Sequence, residues 1–369
     1  MKTPNHSKTL IKPLLIAAGL ATAVAATAWA TELPDAVVSA SAGDATATDR
    51  PVDPESVARA NWRTLMAHNS APATGCYHAS YPTIVWEKVA CKIGQPRVHP
   101  VHARPRADVP EVTGGIGNGK SDDYVAEGTG LITEAVGSFA ISGVTSEVGV
   151  SEYNINGVQQ GITGSNEYSI QLNTNEFETT SACAGHGGCT VWQQFIYATD
   201  YLGPGEAEVF MQYWLLDWGS TACPSGWNQS GHNCWANSFL VAVDDLPITD
   251  LGSMAITASA TAGGNDTVVF TWGSDAVSSS FPDYVVDISS VWDKAEFNVV
   301  GNGGGARANF NAGSSVTVTI FLIDGSNVAP KCVANDGSTG ESNNLNAGPC
   351  AAYNRFVYRP PSIKFTESN

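Results

Sequence analysis

The chain reads as an all-β protein: its larger part is a two-sheet antiparallel β-sandwich, jelly-roll or concanavalin-like, preceded by a signal peptide and a propeptide with one short helix. Three observations predict this. From Tyr124 onward, short alternating or wholly apolar runs are separated by Gly, Asn, Asp and Ser clusters every ~8 to 12 residues, the spacing of strands and turns. Gly is abundant, at 37 of 369 residues, and charged residues make up only 14%, which leaves little to build amphipathic helices. A patterned stretch of about 250 residues is also of the size that two packed sheets occupy as one domain.

Lys2, Lys8 and Lys12 precede or flank the apolar run LLIAAGLATAVAA, and Ala28-Trp29-Ala30 puts small residues at both key positions of a signal-peptidase site. The run is shorter than the ~20 residues a membrane span needs, so residues 1–30 read as an export signal and the protein as secreted. Residues 31–52 are rich in Ala, Ser, Thr and Asp and read as disordered. In DPESVARANWRTLMAH, Asp53 as N-cap, Pro54 at the first helical position, and Val57, Ala58, Trp62, Leu65 and Met66 at helical spacing predict one short helix. CYHASYPTIVWEKVAC then makes a small disulfide-closed unit. The Pro-rich KIGQPRVHPVHARPRADVPEVTGG carries Lys92, Arg97, Arg104, Arg106, His99 and His102 with no acid before Asp108, a linker with a basic face. The expected division is a signal peptide at 1–30, a propeptide and basic linker at 31–119, and a β-sandwich domain at 120–369.

The strands expected in that last region are YSIQLNTNEF, TVWQQFIYAT, VFMQYWLLDW, SFLVAVDDL, MAITASATA, DTVVFTWG, AEFNVVG, SSVTVTIFLI and SIKFTES. Eight cysteines suit an oxidising compartment and fall as neighbours: Cys76 with Cys91, Cys183 with Cys189, Cys223 with Cys234, and Cys332 with Cys350. Nearest-neighbour pairing is the expectation among the 105 pairings eight cysteines allow. All being oxidised would leave no thiol nucleophile.

Charge separates the two halves. Residues 1–119 hold 11 Lys and Arg against 9 Asp and Glu, whereas 120–369 hold 7 against 26, a net of −19. Such a body repels nucleic acid and anionic membrane, so neither is an expected partner. In acid the carboxylates neutralise while the few bases add little positive charge, which avoids the self-repulsion behind much acid unfolding. The basic linker then suits an inhibitory propeptide held on the acidic body near neutral pH.

Two segments carry the chemistry. Along VWQQFIY at 191–197, strand alternation puts Gln193, Phe195 and Tyr197 on one face and Trp192, Gln194 and Ile196 on the other. In VFMQYWLLDW it groups Phe210, Gln212, Trp214, Leu216 and Trp218, and in DKAEFNVVG it groups Glu296 and Asn298. An aromatic face with sparse polar groups suits a peptide-binding cleft. A Glu can take a proton from an attacking water and return it to the leaving amine, while a neutral amide can hydrogen-bond the water and the developing oxyanion. An unperturbed Glu titrates near pH ~4.3, so such a pair works best in acid.

The order of these motifs, with aromatic strands between them, resembles the secreted glutamic peptidases, the eqolisin-like acid proteases, and more distantly the neprosin-type glutamic peptidases. The likeness spans Tyr168 to Phe310. It implies Gln193 as the catalytic amide, with Gln194 as the alternative, and Glu296 as the catalytic carboxyl; the faces set by strand alternation make Phe195, Tyr197, Gln212, Trp214 and Asn298 the expected substrate contacts. It further implies an acid endopeptidase made as a zymogen, acting on a polypeptide substrate, held by its own propeptide, monomeric and needing no cofactor or metal.

Other readings are weaker. GGIGNGKS at 114–121 matches the phosphate-binding GxxxxGK[ST] pattern but has no apolar strand before it and no amphipathic helix after it. No GxSxG or HExxH occurs, and past Lys120 the only histidines are His186 and His232. Asp336 and Glu341, in the loop closed by Cys332 and Cys350, could ligate calcium through oxygen but lack EF-hand spacing. From other classes, a lectin-like sandwich would stack Trp218, Trp227 and Trp235 on sugar rings. A glycoside hydrolase would pair Glu296 with Glu176, Glu178 or Asp217.

Overall fold

Two antiparallel sheets packed face to face make the body of the protein. The computed structural model describes residues 54–93, 123–151, 161–219, 221–303, 305–334 and 337–369. The expected signal peptide at 1–30, residues 31–53, the stretch 94–122 with its GGIGNGKS, and Asp336 lie outside them. In the first sheet the described strands run Glu87–Val89, Gly75–Ser80, Asp275–Pro282, Asn265–Trp272, Ala255–Ala260, Glu134–Ser142, Ser315–Ile323, Ser362–Ser368 and Asn346–Ala347, with Ala351–Tyr353 also on Ser362–Ser368. In the second they run Asn228–Ser230, Asn233–Asn237, Glu206–Leu216, Thr190–Gly203, Tyr168–Thr174, Lys294–Gly301, Tyr124–Glu127 and Lys331–Ala334, with Val241–Asp244 also on Glu206–Leu216. A small third sheet joins Ser342–Asn343, Arg307–Phe310, Glu147–Ser151 and Gly161–Ser165. The expected sandwich is therefore the observed fold.

Alternation builds the core. In Ser315–Ile323, Val316, Val318, Ile320 and Leu322 are buried while Ser315, Thr317, Thr319 and Phe321 between them are partly exposed, the pattern of a sheet with one covered face. Thr190–Gly203 and Glu206–Leu216 differ, being buried along nearly their whole length and so covered on both faces. Ile170, Leu172, Phe195, Tyr197, Met211 and Tyr213 from the second sheet meet Ile256, Val268, Phe270 and Val277 from the first in one continuous core. Tyr197 stacks on Phe270 at 4.5 Å, and Phe139 on Phe297 at 4.5 Å, tying the sheets together.

The helix forms at Pro54–Ala67 and buries Trp62 and Met66 against Ala79 and Ala276; its expected cap, Asp53, lies outside the described residues. Gly75–Ser80, which follows, pairs with Asp275–Pro282, so residues 54–93 extend the first sheet at one edge. All four nearest-neighbour disulfides are present.

Candidate active site

The site strand is fixed by what it buries. In Lys294–Gly301 the side chains of Ala295, Phe297 and Val299 enter the core, which turns Glu296 and Asn298 to the opposite, outer face of the second sheet. Phe297 lies flat over Gly137 of the facing sheet, where any Cβ would stand 2.2 Å from the ring.

Register then sets Glu296 in a row of polar residues. It lies opposite Asn173, which lies opposite Gln194, then Gln212, then Asn237. Glu296 and Gln194 are thus two strands apart on one face, with about 9 to 10 Å between their backbones and Asn173 between them. Their neighbours lock them. Ser338 donates its backbone N–H at 2.7 Å and its hydroxyl to Glu296 Oε2, and Asn173 Nδ2 donates to the same oxygen at 3.4 Å. Trp214 Nε1, which can only donate, binds Gln194 Oε1 at 3.0 Å and Gln212 Oε1 at 3.2 Å. The Gln194 amide is thereby oriented with Nε2 away from Trp214, donating to Gln171 Oε1 at 3.0 Å. Gln171 Nε2 binds Ser169 Oγ at 3.0 Å, and Ser169 in turn donates to the Gly301 carbonyl at 2.8 Å, which extends the directional chain across the face. Along its other flank Trp192, Trp214 and Trp235 form a row, with ring centres 6.1 and 6.2 Å apart.

Glu296 is 2% exposed and borders a pocket of about 80 Å³ lined also by Glu176, Phe177, Glu178, Asp293 and Ser338. Behind it stands a second carboxyl cluster. Asn298 Nδ2 donates to Asp123 Oδ2 at 3.1 Å and Glu367 Oε1 at 2.8 Å, and Asn343 Nδ2 reaches Glu367 Oε2 at 3.2 Å. Burial first, and then the charges of Glu367 and Glu296, push the Asp123 carboxyl well above the usual range.

The structure turns the two glutamines to opposite faces of their strand. Gln193 is turned into the sandwich interior, with Nε2 at 3.7 Å from Met211 Sδ and its amide in contact with the buried Asp266 of the first sheet. It does not share a face with Glu296; the alternative, Gln194, does. Phe195 and Tyr197 follow Gln193 inward, Phe195 against Trp292 and Tyr197 against Phe270, so they are core residues and not cleft residues. Gln212, Trp214 and Asn298 lie on the Glu296 face. Gln171, Asn173, Trp192, Ser338, Asp123 and Glu367 were not anticipated. The alternation in YSIQLNT signals that Gln171 and Asn173 share a face, but nothing in the sequence signals Ser338, whose loop meets Glu296 across 42 positions.

The remaining candidates fall elsewhere. Trp235 is buried beside Trp214 in the same row. Trp218 stacks on His186 at 3.3 Å, and Asp217 is exposed at the end of its strand. Glu341 is buried and accepts the Thr339 hydroxyl; among the described residues no group of three or more His, Cys, Asp or Glu is placed to hold a metal. Comparison with protein-family models, with curated proteins and with solved structures finds no match to this chain.

Proposed function

We propose that the protein is an exported acid endopeptidase in which Glu296 and Gln194 activate water on the outer face of the second sheet. The observation that carries this reading is the shared row: a carboxyl, itself at the border of a pocket, and an oriented neutral amide on one buried, aromatic-flanked face. Glu296 takes a proton from the water as its oxygen bonds to the peptide carbonyl carbon, then returns that proton to the amine as the C–N bond breaks. The Gln194 amide carries two hydrogens, one directed to Gln171 and the other available to the carbonyl oxygen as it becomes negative. The Trp row supplies an apolar wall for a bound polypeptide.

The four disulfides fit the oxidising compartment that export requires. A zymogen fits the placement of the linker's two flanks. Lys92 pairs with Leu240 beyond strand Glu206–Leu216, and Asp123 adjoins Asn298 at the other side of the site. Gln194 and Trp192 are wholly buried in the full chain, so substrate requires the face to be uncovered.

The test is hydrolysis of a denatured protein from roughly pH 2 to 8 by acid-incubated enzyme, with Glu296→Gln, Gln194→Ala and Gln193→Ala alongside. Cleavage confined to acid, lost in the first two variants and kept in the third, is expected. A folded wild type that cleaves nothing at any pH refutes the reading.

One observation favours a second reading. Glu176 and Glu178 share the Glu296 pocket, so two carboxyls are available there for glycoside hydrolysis. Release of reducing sugar from a polysaccharide, abolished by Glu176→Gln as well as Glu296→Gln, would select it.

A further inference from the structure

The turn between strands Ala351–Tyr353 and Ser362–Ser368 is at odds with the rest of the surface. Every residue from Ala351 to Arg359 is exposed. Among them are four large apolar side chains, Tyr353, Phe356, Val357 and Tyr358, at 50, 75, 63 and 83% exposure. Such a group on a soluble surface marks an interaction site more often than chance. Val328, at 57%, adds to it from the adjoining turn, which is tied on by Arg355 N–H to the Asn327 carbonyl at 3.0 Å and Ala329 N–H to Asn354 Oδ1 at 2.8 Å.

Backbone and charge point the same way. Phe356 and Arg359 exchange both backbone hydrogen bonds, at 3.1 and 2.9 Å, so Val357 and Tyr358 form the tip of a tight reversal. Val357 has φ +52°, a left-handed conformation that a β-branched residue adopts only under strain and that glycine would adopt freely. The chain therefore holds a large apolar side chain at the tip against its backbone preference, as functional positions do. Of the seven Lys and Arg from residue 120 on, Arg355 and Arg359 flank this tip, Lys364 lies opposite Ala351, and Lys331 begins a neighbouring strand, where it pairs with Glu127. Four of these seven bases lie at one edge around aromatic side chains and outnumber the acids beside them, Glu127 and Asp324.

We propose that the 353–359 turn is an anchor that docks on an anionic phospholipid bilayer. Phe356, Val357 and Tyr358 enter the boundary between headgroups and acyl chains, where aromatic side chains are favoured, and Arg355 and Arg359 pair with lipid phosphates. The net charge of −19 argues against membrane contact only for the body as a whole; at this edge the local charge is positive. A convex tip with side chains exposed all round suits insertion into a soft surface better than a flat protein interface.

The experiment is co-sedimentation of the full-length, disulfide-intact protein with vesicles of phosphatidylcholine alone and of phosphatidylcholine with an equal part of phosphatidylglycerol. Selective binding to the anionic vesicles, lost at high salt, is expected. Phe356→Ser with Tyr358→Ser, and separately Arg355→Gln with Arg359→Gln, should each lower the partition coefficient by roughly tenfold or more. These side chains are exposed, so both variants keep the fold, which circular dichroism checks. Equal recovery on both vesicle types, or variants that bind like wild type, overturns the proposal. So does a dimer in light scattering that the variants dissolve, which assigns the turn to self-association instead.

Discussion

Gln194 is usable because Trp214 fixes which way its amide points. An indole N–H can only donate, so it holds Gln194 Oε1 and leaves Nε2 on the Glu296 side. Trp214→Phe removes that constraint while keeping most of the packing, and we predict that kcat for peptide hydrolysis falls roughly tenfold with KM little changed. An unaltered kcat would mean the orientation is set elsewhere. Replacing the amide itself costs more: Gln194→Ala should lower kcat by roughly 10²- to 10³-fold, whereas Gln193→Ala should leave kcat within a few-fold and cost about 1–3 kcal/mol of stability in urea unfolding. Alternation along VWQQFIY separates the two glutamines onto opposite faces without help from the structure. Which face lies inward is not legible there, because both are lined by aromatics, Trp192 on one and Phe195 on the other. The decision is made by the strand Asn265–Trp272, more than 70 positions away, which supplies Asp266 and Phe270 to the inner face.

Elements were more readable than partners. Each of the nine expected strands forms, since each buries enough apolar surface to be seen as a run. Glu147–Ser151, Gly161–Ser165 and Ser342–Asn343 gave no such signal, being short and rich in Gly, Ser and Asn, and they form only against neighbours. The strand bearing Glu296 makes one especially close contact across the sandwich, Phe297 over Gly137. We predict that Gly137→Ala, with its Cβ driven into the ring, destabilises the fold by about 1–3 kcal/mol and lowers peptidase activity of the folded fraction as Glu296 shifts. A urea midpoint equal to wild type would show that the ring can move aside. The loop closed by Cys332 and Cys350 also acts on this carboxyl, since Ser338 donates to Glu296 through both its backbone N–H and its hydroxyl. Its polar composition suggested an ordinary surface loop or a cation site, because a hydrogen bond made across so many positions leaves no trace in local pattern.

For the molecule as a whole, the buried acids set a direction with pH. Burial pushes the carboxyls of Asp123 and Asp266 well above the usual range, Glu147 up to about 8 and Glu208 up to about 7. In the unfolded chain such groups titrate near ~4 to 4.5. A carboxyl whose folded value is raised binds its proton more tightly in the native state. Its contribution is therefore fully present below the unfolded value and is lost as pH rises through the folded one. Each pH unit in that window costs about 1.4 kcal/mol per group. The low count of bases from residue 120 on limits self-repulsion at the acid end, so the two effects act together to favour acid. We predict that Tm is highest in mild acid and falls by roughly 5 °C or more between about pH 5 and pH 8, as scanning calorimetry would measure. Glu147→Gln keeps the shape of the protonated acid without its titration, so its Tm should fall less steeply over the same interval. A wild-type Tm that is flat or rising from pH 5 to 8 would mean that these acids are relieved by rearrangement or water, and that the acidity of the chain serves solubility alone.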